Sequence, residues 1–251
     1  MMAQADTALP AGLMTGDIVD FTVDNLGNIY TISKTNQLKK TTARGDSVGV
    51  FNDVKRYGKL YSIDATNPLK ILLFYKDFGT IVVLDRFLNA RTTIDIRKQG
   101  IFQAKAIAQS YDNGIWIYDE QEAILKRMND EGTIIGQTAD LRQSMETAPA
   151  PELIVDQDRL VYLYDPLQGL LVFDYFGTLK HKIALLGWLD FQVIGASVFG
   201  RKGTLFERYE LNSLSLQEQQ FGSKLTGVDK IRIGPSMLYC LRNGSISYYK
   251  L

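Results

Sequence analysis

The sequence predicts an all-β fold, a six-bladed β-propeller of four-stranded blades whose ring is closed by the N-terminal strand. Three observations predict it. An apolar–aromatic strand centre recurs six times, at Ile29-Tyr30, Ile71-Leu72, Ile115-Trp116, Val161-Tyr162, Val198-Phe199 and Leu238-Tyr239. The second members of these pairs are 42, 44, 46, 37 and 40 residues apart, a spacing that suits four short strands joined by tight turns. The last repeat holds three strands instead of four, and an extended N-terminal segment is left over to complete it.

Blade one reads "IVDFTVDN", a turn at Leu26-Gly27, "NIYTIS", "QLKKTTA", a turn at Arg44-Gly45-Asp46 and "SVGVF". Blade two reads "KLYSIDA", "KILLFY", "TIVVLDRF" and "RTTIDIR". Blade three reads "AKAIAQS", "GIWIYD", "AILKRMN" and "TIIGQTADL", with Asp112-Asn113-Gly114 supplying turn chemistry. Blade four reads "ELIVDQ", "LVYLYD", "GLLVFDY" and "TLKHKIAL". Blade five is looser, with "DFQVIGA", "SVFGRK", "TLFERYEL" and "LSLQEQQF". Blade six offers only "DKIRIG", "MLYCLR" and "SISYYKL", so "TALPAGLM" is expected to supply its outer strand and remove an open edge.

The expected organisation is one domain over 1–251, with a closing strand near 6–16. The blades follow at about 17–54, 55–99, 100–145, 146–187, 188–224 and 225–251. A β-sandwich of seven to nine strands would not fill this length. Helix is confined to short blade junctions such as "NDVKRYG" and "ADLRQSMETA", and "TAPAPEL" connects blades three and four.

The form "DNLGNIY" in blade one, echoed by "YDNGIWIYD" and "DQDRLVYLYD", resembles the degenerate repeat of NHL-type and related six-bladed propellers over residues 17–251. WD40, YWTD and kelch signatures are missing. Trp116 and its equivalents read as inter-blade core, because a blade cannot bury both faces alone.

Composition narrows the function classes. Lys+Arg and Asp+Glu both number 28, so the basic surplus of a nucleic-acid binder is absent. No apolar run reaches the length of a membrane span. One cysteine, Cys240, excludes a disulfide framework and multi-cysteine metal sites, and one histidine, His181, excludes HExxH. His181 stands in a strand-like alternation, GxSxG is absent, and "GASVFG" has the wrong spacing for a nucleophile elbow. Ala3-Gln4-Ala5 matches the small-x-small end of an export signal without an apolar region before it. That suggests a periplasmic or cell-envelope location, with the cytoplasm as the alternative.

The candidate sites are few. Aligning Asp24, Asp64, Gln109, Asp156, Gly195 and Gly234 on the innermost strands puts Asp20, Lys105, Glu152 and Lys230 four residues earlier, facing the channel. They would form either a polar-ligand or cation site, or pairs between adjacent blades: Asp20 with Lys230 and Lys105 with Glu152. Pairing is the preferred reading, since buried charges need partners.

Six-bladed propellers of the lactonase type hold a central calcium through oxygen ligands, and a hydrolase of that type would need several carboxylates and amides converging on one point. Two lysines in that ring would repel the ion, and Asp24, Asp64 and Asp156 sit where turns favour aspartate. No metal and no cofactor are therefore expected. Aromatics beside glycine turns, Phe78, Tyr175, Phe176 and Trp188, are the candidates for a binding surface. "RGDS" at 44–47 and "NGS" at 243–245 read as hairpin turns.

The expected function is a non-catalytic interaction module presenting a channel mouth to a protein partner in the envelope. A calcium-dependent hydrolase or lactonase is the first alternative and carbohydrate binding the second.

Overall fold

Strands with both faces buried should be continuously apolar, and β-branched and aromatic residues suit them best. The computed structural model, which describes residues 10–220 and 225–251, contains such strands at the centre of its blades. The chain is all-β, a six-bladed β-propeller of four-stranded antiparallel blades. The Ala3-Gln4-Ala5 stretch, residues 6–9 of the expected closing strand, and Phe221 lie outside the described residues.

The chain divides into two compact units, residues 1–52 with 188–251 and residues 53–187. The second unit contains three blades. Blade two comprises β6 (Ser62–Asn67), β7 (Lys70–Tyr75), β8 (Thr80–Asp85) and β9 (Ala90–Asp95). Blade three comprises β10 (Ala104–Gln109), β11 (Ile115–Asp119), β12 (Ile124–Met128) and β13 (Ile134–Gln137). Blade four comprises β14 (Leu153–Gln157), β15 (Leu160–Asp165), β16 (Gly169–Asp174) and β17 (Leu179–Ile183). A single helical turn, α1 (Val54–Tyr57), and a 3-10 turn at Leu141–Gln143 fall within the two junctions where the sequence allowed helix.

Strand β11 shows why blade centres look alike. Ile115 and Ile117 pack into a cluster with Leu72, Phe74 and Ile81 of blade two. Trp116 and Tyr118 point the other way, into a cluster with Val161, Leu163 and Phe173 of blade four. Side chains alternate across a strand, so a strand between two blades needs large apolar residues at every position.

In the first unit, blade one comprises β2 (Ile18–Val23), β3 (Ile29–Ser33), β4 (Leu38–Thr41) and β5 (Ser47–Phe51). Blade five comprises β18 (Leu189–Ile194), β19 (Ser197–Lys202), β20 (Leu205–Glu210) and β21 (Ser215–Gln220). Blade six comprises β22 (Lys230–Gly234), β23 (Met237–Arg242) and β24 (Ser245–Lys250). Its fourth strand is β1 (Gly12–Met14), which pairs with β24 in the register Gly12↔Tyr248 and Met14↔Ile246. The N-terminal strand therefore completes the blade that the sequence left one strand short.

Two glycines are required by close approach. The Trp188 ring lies over Gly200, where an added Cβ would meet Cε3 at 2.3 Å. Gly169 has φ +91, and its Cβ would fall 2.3 Å from the Ile183 carbonyl oxygen.

Candidate interaction surface

In a four-strand meander the first and third hairpins fall at one end of the blade and the second at the other. In the unit of residues 53–187, that first end is organised around Asp156 of β14. One carboxylate oxygen accepts hydrogen bonds from Trp116 Nε1 at 2.7 Å, Ser110 Oγ at 3.1 Å and the Tyr111 backbone N–H at 3.2 Å. The other accepts from the Tyr175 hydroxyl at 2.6 Å. Burial and then the bond to Asp156 push the Tyr175 hydroxyl above the ordinary tyrosine range, so it stays a donor.

The result is an ordered aromatic stack. Tyr111 lies on Tyr175 with ring centroids 4.4 Å apart and planes 3° from parallel. Trp116 tilts against Tyr175 at 6.4 Å, and the Arg127 guanidinium covers Trp116 at 5.5 Å while pairing with Asp112 at 3.5 Å. Tyr111 is 64% exposed and Phe176, at the tip of the neighbouring hairpin, is 93% exposed. Lys70, from the corresponding hairpin of blade two, reaches the Asn113 carbonyl and Asp130.

The other strand-end aspartates serve turns. Asp24 accepts from Leu26 N–H, Asn28 N–H, Asn28 Nδ2 and the Tyr30 hydroxyl, at 2.8–3.0 Å. Asp64 accepts from both Thr66 donors and from Gln109 N–H at 2.6 Å, joining blades two and three.

Asp20 of β2 and Lys230 of β22 form an ion pair. Lys105 instead pairs with Glu120 of its own blade at 3.3 Å, because the turn after β11 brings that carboxylate back toward β10. Glu152 is exposed, with its backbone N–H bonded to the Tyr164 carbonyl at 2.9 Å. Tyr175 and Phe176 are brought together with Tyr111. Phe78 follows β7 and sits at the opposite end of its blade, the end at which Phe102, before β10, and Leu167, between β15 and β16, are exposed on blades three and four. Trp188 is 2% exposed, packed over Gly200 and against Phe191 at 6.4 Å. It is core in its unit, not surface.

Tyr111 was not among the sequence candidates. Its signal was an aromatic inside the turn "SYDNG", where a ring has no strand face to enter.

Among the described residues, no three His, Cys, Asp or Glu side chains converge as a metal site would require, and no helix is long and apolar enough to cross a membrane. His181 is exposed on the edge strand β17, and Cys240 is buried.

No family model matches the chain, and no curated protein sequence matches it. Solved structures do. A streptogramin B lyase structure aligns with a TM-score of 0.64 at 14% identity, covering 92% of this chain and 78% of the other. The Pan2 WD40 domain of Neurospora crassa aligns at 0.65 and 10% identity, covering 93% and 78%. BamB from Moraxella catarrhalis aligns at 0.56 and 11% identity, covering 92% and 82%. What they share with this chain is the propeller fold.

Proposed function

We propose that this chain is a non-catalytic interaction module that presents the Tyr111–Tyr175–Phe176 end of residues 53–187 to a protein partner. The observation that carries the reading is the stacked Tyr111–Tyr175 pair, pinned by Asp156 beside an almost fully exposed Phe176. Tyrosines with few rotatable bonds, fixed before binding, lose little entropy when a partner covers them, and such aromatics are typical anchors of interfaces. A cell-envelope location goes with this reading through the Ala3-Gln4-Ala5 stretch. The carboxylates that a calcium-dependent hydrolase would draw on, Asp24, Asp64 and Asp156, are engaged by N–H and O–H donors, which favours the binding reading.

A photo-crosslinking residue at position 176, with position 167 at the opposite end of the blade as control, tests it in cells. A discrete crosslinked product from 176 and none from 167 is expected. Equal labelling from both positions would refute the assignment of this end. Carbohydrate binding is the second reading, favoured by the exposed face of Tyr111, a platform on which a sugar ring stacks. It predicts that soluble glycans compete with the crosslink.

A further inference from the structure

The unit of residues 1–52 and 188–251 holds a separate cluster of charges. Strand β22 carries Lys230 and Arg232 two residues apart, hence on one face of the strand. Lys230 pairs with Asp20 of β2, whose same oxygen also accepts the Phe21 N–H at 2.8 Å. The nearby Asp190 of β18 is taken by Arg201, Nε to Oδ2 at 2.8 Å, and Arg201 is completed by the Gly203 and Asp229 carbonyls at 3.1 and 3.3 Å. Arg232 is left with one bond, Nη1 to the Ile231 carbonyl at 3.3 Å, and among the described residues no carboxylate lies within ion-pair distance of it.

The group Lys230, Arg232, Asp20, Arg201 and Asp190 therefore holds three cations against two carboxylates. Burial, ahead of any neighbour, pushes both Lys230 and Arg232 below their ordinary values, Lys230 to about 8; Arg232 adds to the effect on Lys230 and Asp20 opposes it, while Asp190 and Asp20 oppose the effect on Arg232. A half-buried guanidinium that meets its nearest carboxylates, Asp190 and Asp20, only beyond ion-pair distance keeps part of its burial cost. Its five fixed donors match the geometry of a carboxylate or phosphate.

The strand that carries it is also fixed in place. Gln192 of β18 clamps Ile233, accepting from its N–H at 2.8 Å and donating to its carbonyl at 3.1 Å. From the unmatched Arg232 beside Lys230 on this clamped strand, we infer that the inner strands β2, β18 and β22 form a binding site for a small oxyanion, a carboxylate or a phosphate. Arg232 supplies the fork and Lys230 a second charge. The site is independent of the partner surface proposed above.

The test is thermal unfolding of the full chain with inorganic phosphate, with succinate, and with sodium chloride at matched ionic strength. A saturable rise in Tm with phosphate or succinate, exceeding that with chloride, is expected, and which of the two acts assigns the headgroup. Arg232→Gln should weaken the effect on the order of tenfold or abolish it. Arg232→Lys, which keeps the charge and loses the fork, should fall between.

Should Arg232→Gln not fold, acylation of Lys230 in the wild-type protein at pH 8, read by mass spectrometry, supplies a second readout. The effective anion should protect Lys230 several-fold, while exposed lysines such as Lys34 are unaffected. A Tm that follows ionic strength alone, with Lys230 labelling unchanged by either anion, would overturn the proposal.

Discussion

Replacing Asp156 with alanine removes the acceptor for four donors at once: Trp116 Nε1, Ser110 Oγ, Tyr111 N–H and the Tyr175 hydroxyl. Trp116 is only 3% exposed, so its N–H loses its partner where water cannot fully replace it, at a cost of ~1–3 kcal/mol. The other three lie nearer solvent and recover part of theirs, leaving ~0.5–1 kcal/mol each. The expected destabilisation is ~3–5 kcal/mol, or a Tm lower by roughly 6–20 °C for a chain of this size. Asp156→Asn keeps the shape and one acceptor oxygen and should cost about half as much. Urea unfolding followed by tryptophan fluorescence reads the change as a shift in midpoint at constant slope. Alanine within ~1 kcal/mol of wild type would mean that the carboxylate does not organise this end.

Other substitutions separate surface from scaffold. Tyr111→Ala should change stability by under about 1 kcal/mol, since its ring is mostly exposed, yet reduce partner crosslinking from position 176 strongly. Gly200→Ala forces the Trp188 ring aside and should destabilise by about 1–3 kcal/mol in denaturant titration. Gly169→Ala adds left-handed strain to a clash with the Ile183 carbonyl and should cost about 2–4 kcal/mol by the same assay.

The Asp85 carboxyl gives a pH signature. Burial would raise its pKa, but bonds from Asn89, Phe87 and Arg91 outweigh this and lower it from 3.8 to about 2. Its stabilisation is present above pH 3.8 and lost as pH falls toward 2. Asp85→Asn should lower Tm at pH 6 and flatten the acid-side decline over that window.

Much of the fold was legible because the residues that define a blade act locally. Ile115-Trp116-Ile117-Tyr118 has no polar position because both its faces are buried. The Asp24-to-Asn28 and Asp85-to-Asn89 turns carry their hydrogen bonds within five residues. The missing strand of blade six was countable, and Gly12–Met14 fills it. Side-chain destinations across elements were harder to read. Lys105 meets Glu120 instead of Glu152 because the length of its stem and the path of the turn after β11 decide the partner. Trp188 follows a glycine in the sequence as a surface aromatic might, but the absent side chain of Gly200 opens a core position for it. Arg232 carries no signal in the sequence, because its lack of a carboxylate within ion-pair distance depends on how Asp20 and Asp190 are taken up by Lys230 and Arg201 in the folded chain.

Recognition of a protein by the Tyr111–Tyr175–Phe176 end is open to direct measurement. The most direct test is the Kd of the partner crosslinked at position 176, measured with purified proteins for wild type, Tyr111→Ala and the distant Leu167→Ala. Tyr111→Ala is expected to weaken binding by at least ~2 kcal/mol, about thirtyfold, while Leu167→Ala leaves it unchanged. Equal affinities for wild type and Tyr111→Ala would contradict recognition by this end.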